Sequence, residues 1–186
     1  MVEREDVLSA AQRQLNRAPG SSMAVVAKAA GVGRATLHRY FATREALLTE
    51  IGTRSLDRWE SRLRDGEMAA TAASGDAGRI AHCLHGLIAD FVADAEDFGF
   101  ALTDSYMCTE PELVQRADRL FEQEIEFYAA AQAAGVLRAD VPPRWIGHSM
   151  YGQLVAARDA LREGDIARRD VVALVLSTFL SGSGPR

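Results

Sequence analysis

The stretch from Ser22 to Phe41 constrains this chain more than any other, because it places two short helical patterns on either side of a single glycine. Ser22 is a good N-cap for a helix over residues 23–30, since its hydroxyl can accept from an amide of the first turn that has no helical partner. Gly31 ends that helix with a left-handed backbone that glycine adopts without steric cost, and a third helix runs over residues 34–41. Val26, Ala30, Val32 and Leu37 fill the wedge between the two helices. Ala27 is small where they cross, and a larger side chain there would push them apart. The pattern predicts a helix-turn-helix whose second helix projects far enough to enter a DNA major groove. Arg34, Ala35, Thr36, His38, Arg39 and Tyr40 lie on or beside the outward side of that helix. An ordinary helical hairpin with a tight glycine turn would not call for cationic, hydroxyl and aromatic groups outside while aliphatic ones point in.

Helical periodicity dominates the rest, and no window shows apolar/polar alternation bounded by turn residues, so the chain reads as all-α with about nine helices. The first helix carries Val7, Leu8, Ala11 and Leu15 in one stripe and stops before Pro19-Gly20. Thr43 caps a long fourth helix with Leu47, Ile51 and Trp59 on its inner side. Residues 65–78 are small, contain glycine and lack a period, so they are expected to form a loop. Ile80, Leu84, Leu87, Ile88 and Phe91 mark a fifth helix, and a short sixth is expected over residues 98–107. Pro111 suits the first turn of a seventh helix reaching Gly135. Pro142-Pro143 opens an eighth, with Ile146, Met150, Leu154, Ala157 and Leu161 on one face. The ninth, residues 171–180, is apolar nearly all round and must be covered on both sides. The division is residues 1–48 for the helix-turn-helix DNA-binding domain and 49–186 for a helical ligand-binding and dimerisation domain.

The net charge of −5 opposes contact with nucleic acid only until it is divided along the chain. Residues 1–54 carry 8 Lys/Arg against 5 Asp/Glu, giving +3, and residues 55–186 carry 13 against 21, giving −8. A positive head on an acidic body orients an encounter with phosphates. Cys83 and Cys108 form no disulfide framework, and the charged, amphipathic N-terminus is not a signal peptide. No stretch reaches the roughly 18 apolar residues of a membrane span, which points to a cytoplasmic protein.

No enzyme, metal or cofactor pattern emerges. His82 and His85 sit three apart but off the apolar face and without a third ligand, so they read as a solvated pair. Residues 147–152, GHSMYG, are one residue too long for a nucleophile elbow and lie in a helical pattern. Glu122, Glu124 and Glu126 alternate around a helix and read as solvated surface. Asp90 and Asp94 read as exposed helix charge, although the pair could neutralise a cationic ligand.

The segment from Ser22 through Leu48, SMAVVAKAAGVGRATLHRYFATREALL, resembles the DNA-binding signature of the TetR (tetracycline-repressor) family of transcriptional regulators. The resemblance implies Ser22 and Arg44 as phosphate contacts, base-edge reading by Arg34, Ala35 and Thr36, and His38 and Tyr40 near bases or phosphates. His38 stands where the family usually has Tyr, and Gly33 where a polar residue is commoner. The resemblance also implies a small-molecule pocket among helices four to eight. Periodicity offers Trp59, Leu63, Leu84, Ile88, Phe91, Leu102, Tyr106, Phe121, Ile125, Tyr128 and Tyr151 as its lining, a set suited to a partly apolar effector.

Pairing of helices eight and nine with their copies in a homodimer is implied as well. That agrees with the surplus apolar surface of the ninth helix and places Ile146, Met150, Leu154, Leu161, Val172, Leu176 and Phe179 at the interface. The resulting expectation is a regulator that binds a palindromic operator in double-stranded DNA, most simply a repressor released by an effector. An interaction protein that docks a protein partner through its acidic body, without a ligand, is the alternative.

Overall fold

A computed structural model describes residues 2–185. Among them the chain forms α1 (Arg4–Arg17), α2 (Met23–Ala29), α3 (Arg34–Tyr40), α4 (Arg44–Asp65), α5 (Met68–Ser74), α6 (Ala77–Phe98), a 3₁₀ turn (Gly99–Leu102), α7 (Pro111–Ala133), α8 (Pro143–Glu163) and α9 (Val171–Ser183). The described residues contain no strand.

Local chemistry sets the helix ends. The Val25 amide donates to Ser22 Oγ at 3.4 Å, the Ala46 amide to Thr43 Oγ1 at 3.1 Å and the Arg79 amide to Asp76 Oδ1 at 2.8 Å, so α2, α4 and α6 each start on a side-chain cap. Gly31 has φ +67°, the left-handed value that the turn between α2 and α3 requires.

Two sequence expectations are corrected. Residues 65–78 are not a loop, because α5 forms within them, burying Met68 and Thr71 on one face. Alanine supplies the helical propensity there without the large apolar side chains that make a period visible. The sixth helix expected over residues 98–107 is instead the 3₁₀ turn followed by tight turns. Asp104 Oδ1 accepts from the Tyr106 and Met107 amides, each at 3.1 Å, and draws the backbone out of a helical path.

A continuous core joins the two halves. Val7, Leu8, Ala11, Leu15, Val26, Leu37, Phe41, Leu47 and Ile51 fill the head, while Leu63, Ile80, Leu84, Ile88, Phe127, Ile146 and Phe179 fill the body. Helix α4 belongs to both and runs unbroken past position 48. A second link is polar: Gln12 donates to the Asp97 carbonyl at 2.9 Å, Asn16 donates to the Glu96 carbonyl and accepts from the Phe100 amide at 2.9 Å. These α1 amides satisfy carbonyls that the end of α6 leaves without helical partners.

The ninth helix buries one face within the subunit, through Val171, Val175, Phe179 and Ser183, while Leu174 on the other side is 47% exposed. Ile146, Met150 and Phe179, expected at a subunit interface, are 0–1% exposed and belong to the subunit's own core. Leu154, Leu161, Val172 and Leu176 are half-buried, and Trp145, at 63% exposed, opens α8. No helix among the described residues is long and apolar enough to cross a membrane.

Candidate nucleic-acid interface and interior site

The candidate interface is built outward from Leu37, which is fully buried and fixes the rotation of α3. With Leu37 inward, Arg34, Ala35, His38 and Arg39 are exposed, while Thr36 and Tyr40 are half-buried at the edges of that face. Arg34, Arg39, Lys28, Arg13 and Arg17 have no carboxylate partner among the described residues. Arg4 and Arg54, in contrast, are spent on Glu50 and Glu5. The head thus neutralises its α1–α4 seam and leaves its unpaired cations on the remaining surface, the distribution that phosphate contact requires.

Neighbouring groups hold the reading helix in place. His38 Nδ1 lies 3.2 Å from the Ala42 carbonyl, which can only accept, so Nδ1 carries the proton and Nε2 of the neutral ring remains an acceptor. Tyr40 donates to the Val2 carbonyl at 3.1 Å, and the Arg39 guanidinium lies 5.3 Å from its ring centre. Ser22 is exposed at the N-terminus of α2, where the resemblance puts it. Arg44 has a structural role within the head: its guanidinium donates to the Ser21 carbonyl at 2.5 Å and the Pro19 carbonyl at 2.8 Å, clamping the α1–α2 turn onto the start of α4.

The interior site is centred on a residue that the sequence reading put on the surface. Glu124 of α7 is 6% exposed. Trp59 Nε1 donates to its Oε1 at 2.5 Å from α4, and the Tyr128 hydroxyl donates to Oε2 at 3.1 Å from the next turn of α7. Burial pushes the Glu124 carboxyl up to about 7, against the two donors that hold it down. The Tyr128 phenol is held well above its ordinary value by burial and by the neighbouring carboxylate. No cation comes within ion-pairing distance of Glu124 among the described residues.

Asp90 and Asp94 are the reverse case. Arg62 of α4 lies 3.1 Å from Asp90 and 3.0 Å from Asp94, and Arg58 lies 3.9 Å from Asp94, so the two carboxylates face two guanidinium groups within the fold.

The other expected pocket residues divide. Leu84, Ile88 and Phe91 are buried as packed core. Tyr106 shares a hydrogen bond of 2.9 Å with Thr49. Phe121 and Ile125 lie at the α7–α8 crossing, where a Cβ on Gly147 would fall 2.6 Å from the Phe121 ring. Tyr151 does not line the interior: it is 43% exposed and its hydroxyl donates to the Leu102 carbonyl at 2.6 Å. Two surface clefts, of about 500 and 360 Å³, are lined by other residues, Gln132 and Arg138 in the first and Glu67 and His82 in the second. His82 and His85 are both exposed, and no group of three or more potential metal ligands occurs among the described residues.

Glu124 could have been found in the sequence. It lies four residues after Leu120 and four before Tyr128, on the apolar stripe of α7, but its alternation with Glu122 and Glu126 disguised that phase.

Comparison with known proteins agrees with this geometry. The sequence model described as bacterial regulatory proteins, tetR family, matches residues 7–51. The HTH-type transcriptional repressor LfrR of Mycolicibacterium smegmatis is 26% identical over 179 residues, covering 96% of this chain and 89% of the relative. The crystal structure of the TetR-like regulator LfrR from Mycobacterium smegmatis in complex with proflavine superposes with a TM-score of 0.76 at 23% identity, covering 96% of this chain and 94% of that one. AibR in complex with isovaleryl coenzyme A and operator DNA gives 0.71 at 18% identity, with 96% and 97% covered. Residues 7–51 of this chain thus carry the sequence pattern of bacterial regulatory proteins of the tetR family, and the whole chain shares its fold with TetR-like regulators.

Proposed function

We propose that this chain is a cytoplasmic transcriptional repressor that binds a palindromic operator as a homodimer and releases it when a small molecule enters the helical body. The observation that carries the reading is the construction of α4. It begins at the DNA-reading head with Thr43 and Arg44 and, 15 residues or about 22 Å further on, presents Trp59 to the interior of the body. A ligand that displaces Trp59 therefore acts on the helix that supports α3, provided it binds the two arrangements with different affinity. Residues 1–48 serve as the reading head and 49–186 as the effector and dimerisation body.

Within the head, Arg34, Ala35 and Thr36 read base edges, His38, Arg39 and Tyr40 flank them, and Ser22 and Arg44 border the phosphates. The related proteins support the type of function: one is a repressor crystallised with proflavine, another was captured with an acyl-coenzyme A and operator DNA. The dimer face is assigned to Leu154, Leu161, Val172 and Leu176 with the exposed Leu174 and Trp145. One short reading helix touches too few bases for useful selectivity, so a second copy is required. No catalytic role is assigned.

Selection of binding sites from random duplex DNA by the full chain tests the reading. The expected product is a two-fold symmetric site with half-sites about one helical turn apart. Recovery of no sequence preference at moderate salt would refute it.

A further inference from the structure

The unusual feature of the body is a buried carboxyl whose two hydrogen-bonding partners are neutral and whose surroundings supply no positive charge. Trp59 and Tyr128 each donate to one oxygen, so the arrangement suits an acceptor-only group and leaves both oxygens with further lone pairs. A glutamine could accept from the indole in the same place without the cost of a buried charge, so packing alone gives no reason for an acid here.

The charged groups on neighbouring elements are engaged elsewhere. From α4, Asp57 and Glu60 pair with Arg116. From α8, Arg144 pairs with Glu122 and His148 stacks on Phe121 at 5.1 Å. Helix α5 carries no charged side chain, and on α9 Phe179 meets Tyr128 at 6.4 Å. Glu124 and Tyr128 are buried, while Trp59, which donates to the acid, is only half-buried. An indole face is also the best aromatic partner for a cation.

We propose that Glu124, with Trp59 and Tyr128, recognises the charge of the effector, and that the effector is an organic cation with a largely apolar body. The inference rests on the effector reading above and assigns it a ligand class. Binding balances as a proton exchange: the neutral acid gives up its proton to solvent, and the carboxylate keeps the cation as its counter-charge. Asp90 and Asp94 do not compete for this role, because Arg62 already occupies them.

The test is titration of the full-length protein with proflavine, a planar cation, and with acridine, its uncharged counterpart at about pH 8, by fluorescence and calorimetry. Proflavine should bind at least tenfold more tightly than acridine. Glu124→Gln should weaken proflavine by roughly 30-fold or more while changing acridine by less than about threefold. Glu126→Gln, on the exposed side of the same helix, should leave both unchanged. Calorimetry of the unmodified protein in buffers of different ionisation enthalpy should show release of up to about one proton per subunit near pH 6, fading above about pH 8. That measurement decides the matter even if the Gln variant does not fold.

Unchanged proflavine affinity in Glu124→Gln, or binding without proton release near pH 6, overturns the proposal. If acridine or an acyl-coenzyme A releases operator DNA while proflavine does not, this proposal falls and the effector reading stands. If none of these probes alters operator binding, both fall.

Discussion

Replacing Glu124 with Gln should change how stability depends on pH more than it changes stability at any one pH. In the folded chain the carboxyl is raised from 4.5 to about 7 by burial, so between those values the unfolded chain is ionised while the folded one holds its proton. The folded state then binds more protons than the unfolded state, and stability falls as pH rises. The contribution is fully present below about pH 4.5 and is lost as pH passes through about 7. A gap of roughly 2.5 units at about 1.4 kcal/mol each amounts to about 3 kcal/mol. Glutamine has no proton to lose. It can still accept from Trp59 Nε1 and can donate its own amide hydrogen to the Tyr128 oxygen, so its stability should lack this component.

The assay is urea denaturation of both proteins from about pH 4.5 to 8.5 at fixed salt and protein concentration, because a dimer's midpoint depends on concentration. Every other titrating group is shared and cancels in the difference. The unmodified protein should lose about 3 kcal/mol relative to the variant across that range, or roughly 6–12 °C in Tm for a chain of this size. Parallel curves would refute the reasoning, since they would mean that the carboxyl titrates alike in the folded and unfolded chains.

Arg34→Ala should cost about 1–3 kcal/mol on the selected operator and relax preference at one symmetric pair of bases, measured by anisotropy against single-base variants; a uniform loss would make Arg34 an anchor only. Arg44→Ala should weaken all sequences alike and lower Tm, because the Ser21 and Pro19 carbonyls lose their donor. Arg44→Lys keeps the charge without the fork, so recovery of the salt slope but not of Tm would separate phosphate contact from clamping. Asn16→Leu should remove about 1–2 kcal/mol of stability and reduce the fold-change that an effector produces in operator affinity, read by titrating operator with and without proflavine; an undiminished effect would clear the α1–α6 link of any part in coupling. Leu174→Glu should yield monomers in sedimentation, and an intact dimer would move the interface elsewhere.

The head was legible because its constraints are local. Gly31, Ala27, Leu37 and the caps at Ser22 and Thr43 act within a few residues, and short-range rules fix their conformations. The body was legible only where large apolar side chains repeat. Helix α5 escaped because Ala69, Ala70, Ala72 and Ala73 write no contrast between faces, and residues 98–107 misled because their apolar spacing was broken by Asp104 capping the backbone. Which acid is buried depends on helix phase and on what faces it from other elements: Arg62 waits opposite Asp90 and Asp94, whereas Trp59 waits opposite Glu124. Interface residues failed for the same reason. Ile146, Met150 and Phe179 are as apolar as Leu174, and only the packing of α8 and α9 on α6 decides which of them the subunit keeps for itself.

The energetic scale of the buried acid bears directly on regulation. An effector can shift the head only by the difference in its affinity for two arrangements of the body, and couplings of this kind are commonly about 1–3 kcal/mol. Near neutral pH the ionised Glu124 carries a penalty of that same order, about 3 kcal/mol when fully ionised, for as long as it stays buried against neutral partners. A cation bound beside it removes the penalty in whichever arrangement has room for it. The room has to be made by Trp59, because Glu124 and Tyr128 are enclosed on α7. Trp59 belongs to the helix whose first turn is capped by Thr43 and clamped by Arg44 to the start of the reading head. The recovered energy is thus delivered to α4, while the Gln12 and Asn16 bonds hold α1 to the end of α6. Under the proposed mechanism a displacement of α4 works against its own ion pairs to α1, Arg4–Glu50 and Arg54–Glu5, as well as the α1–α6 bonds, and a change in the spacing of two reading helices in the dimer is enough to lose a two-fold symmetric site.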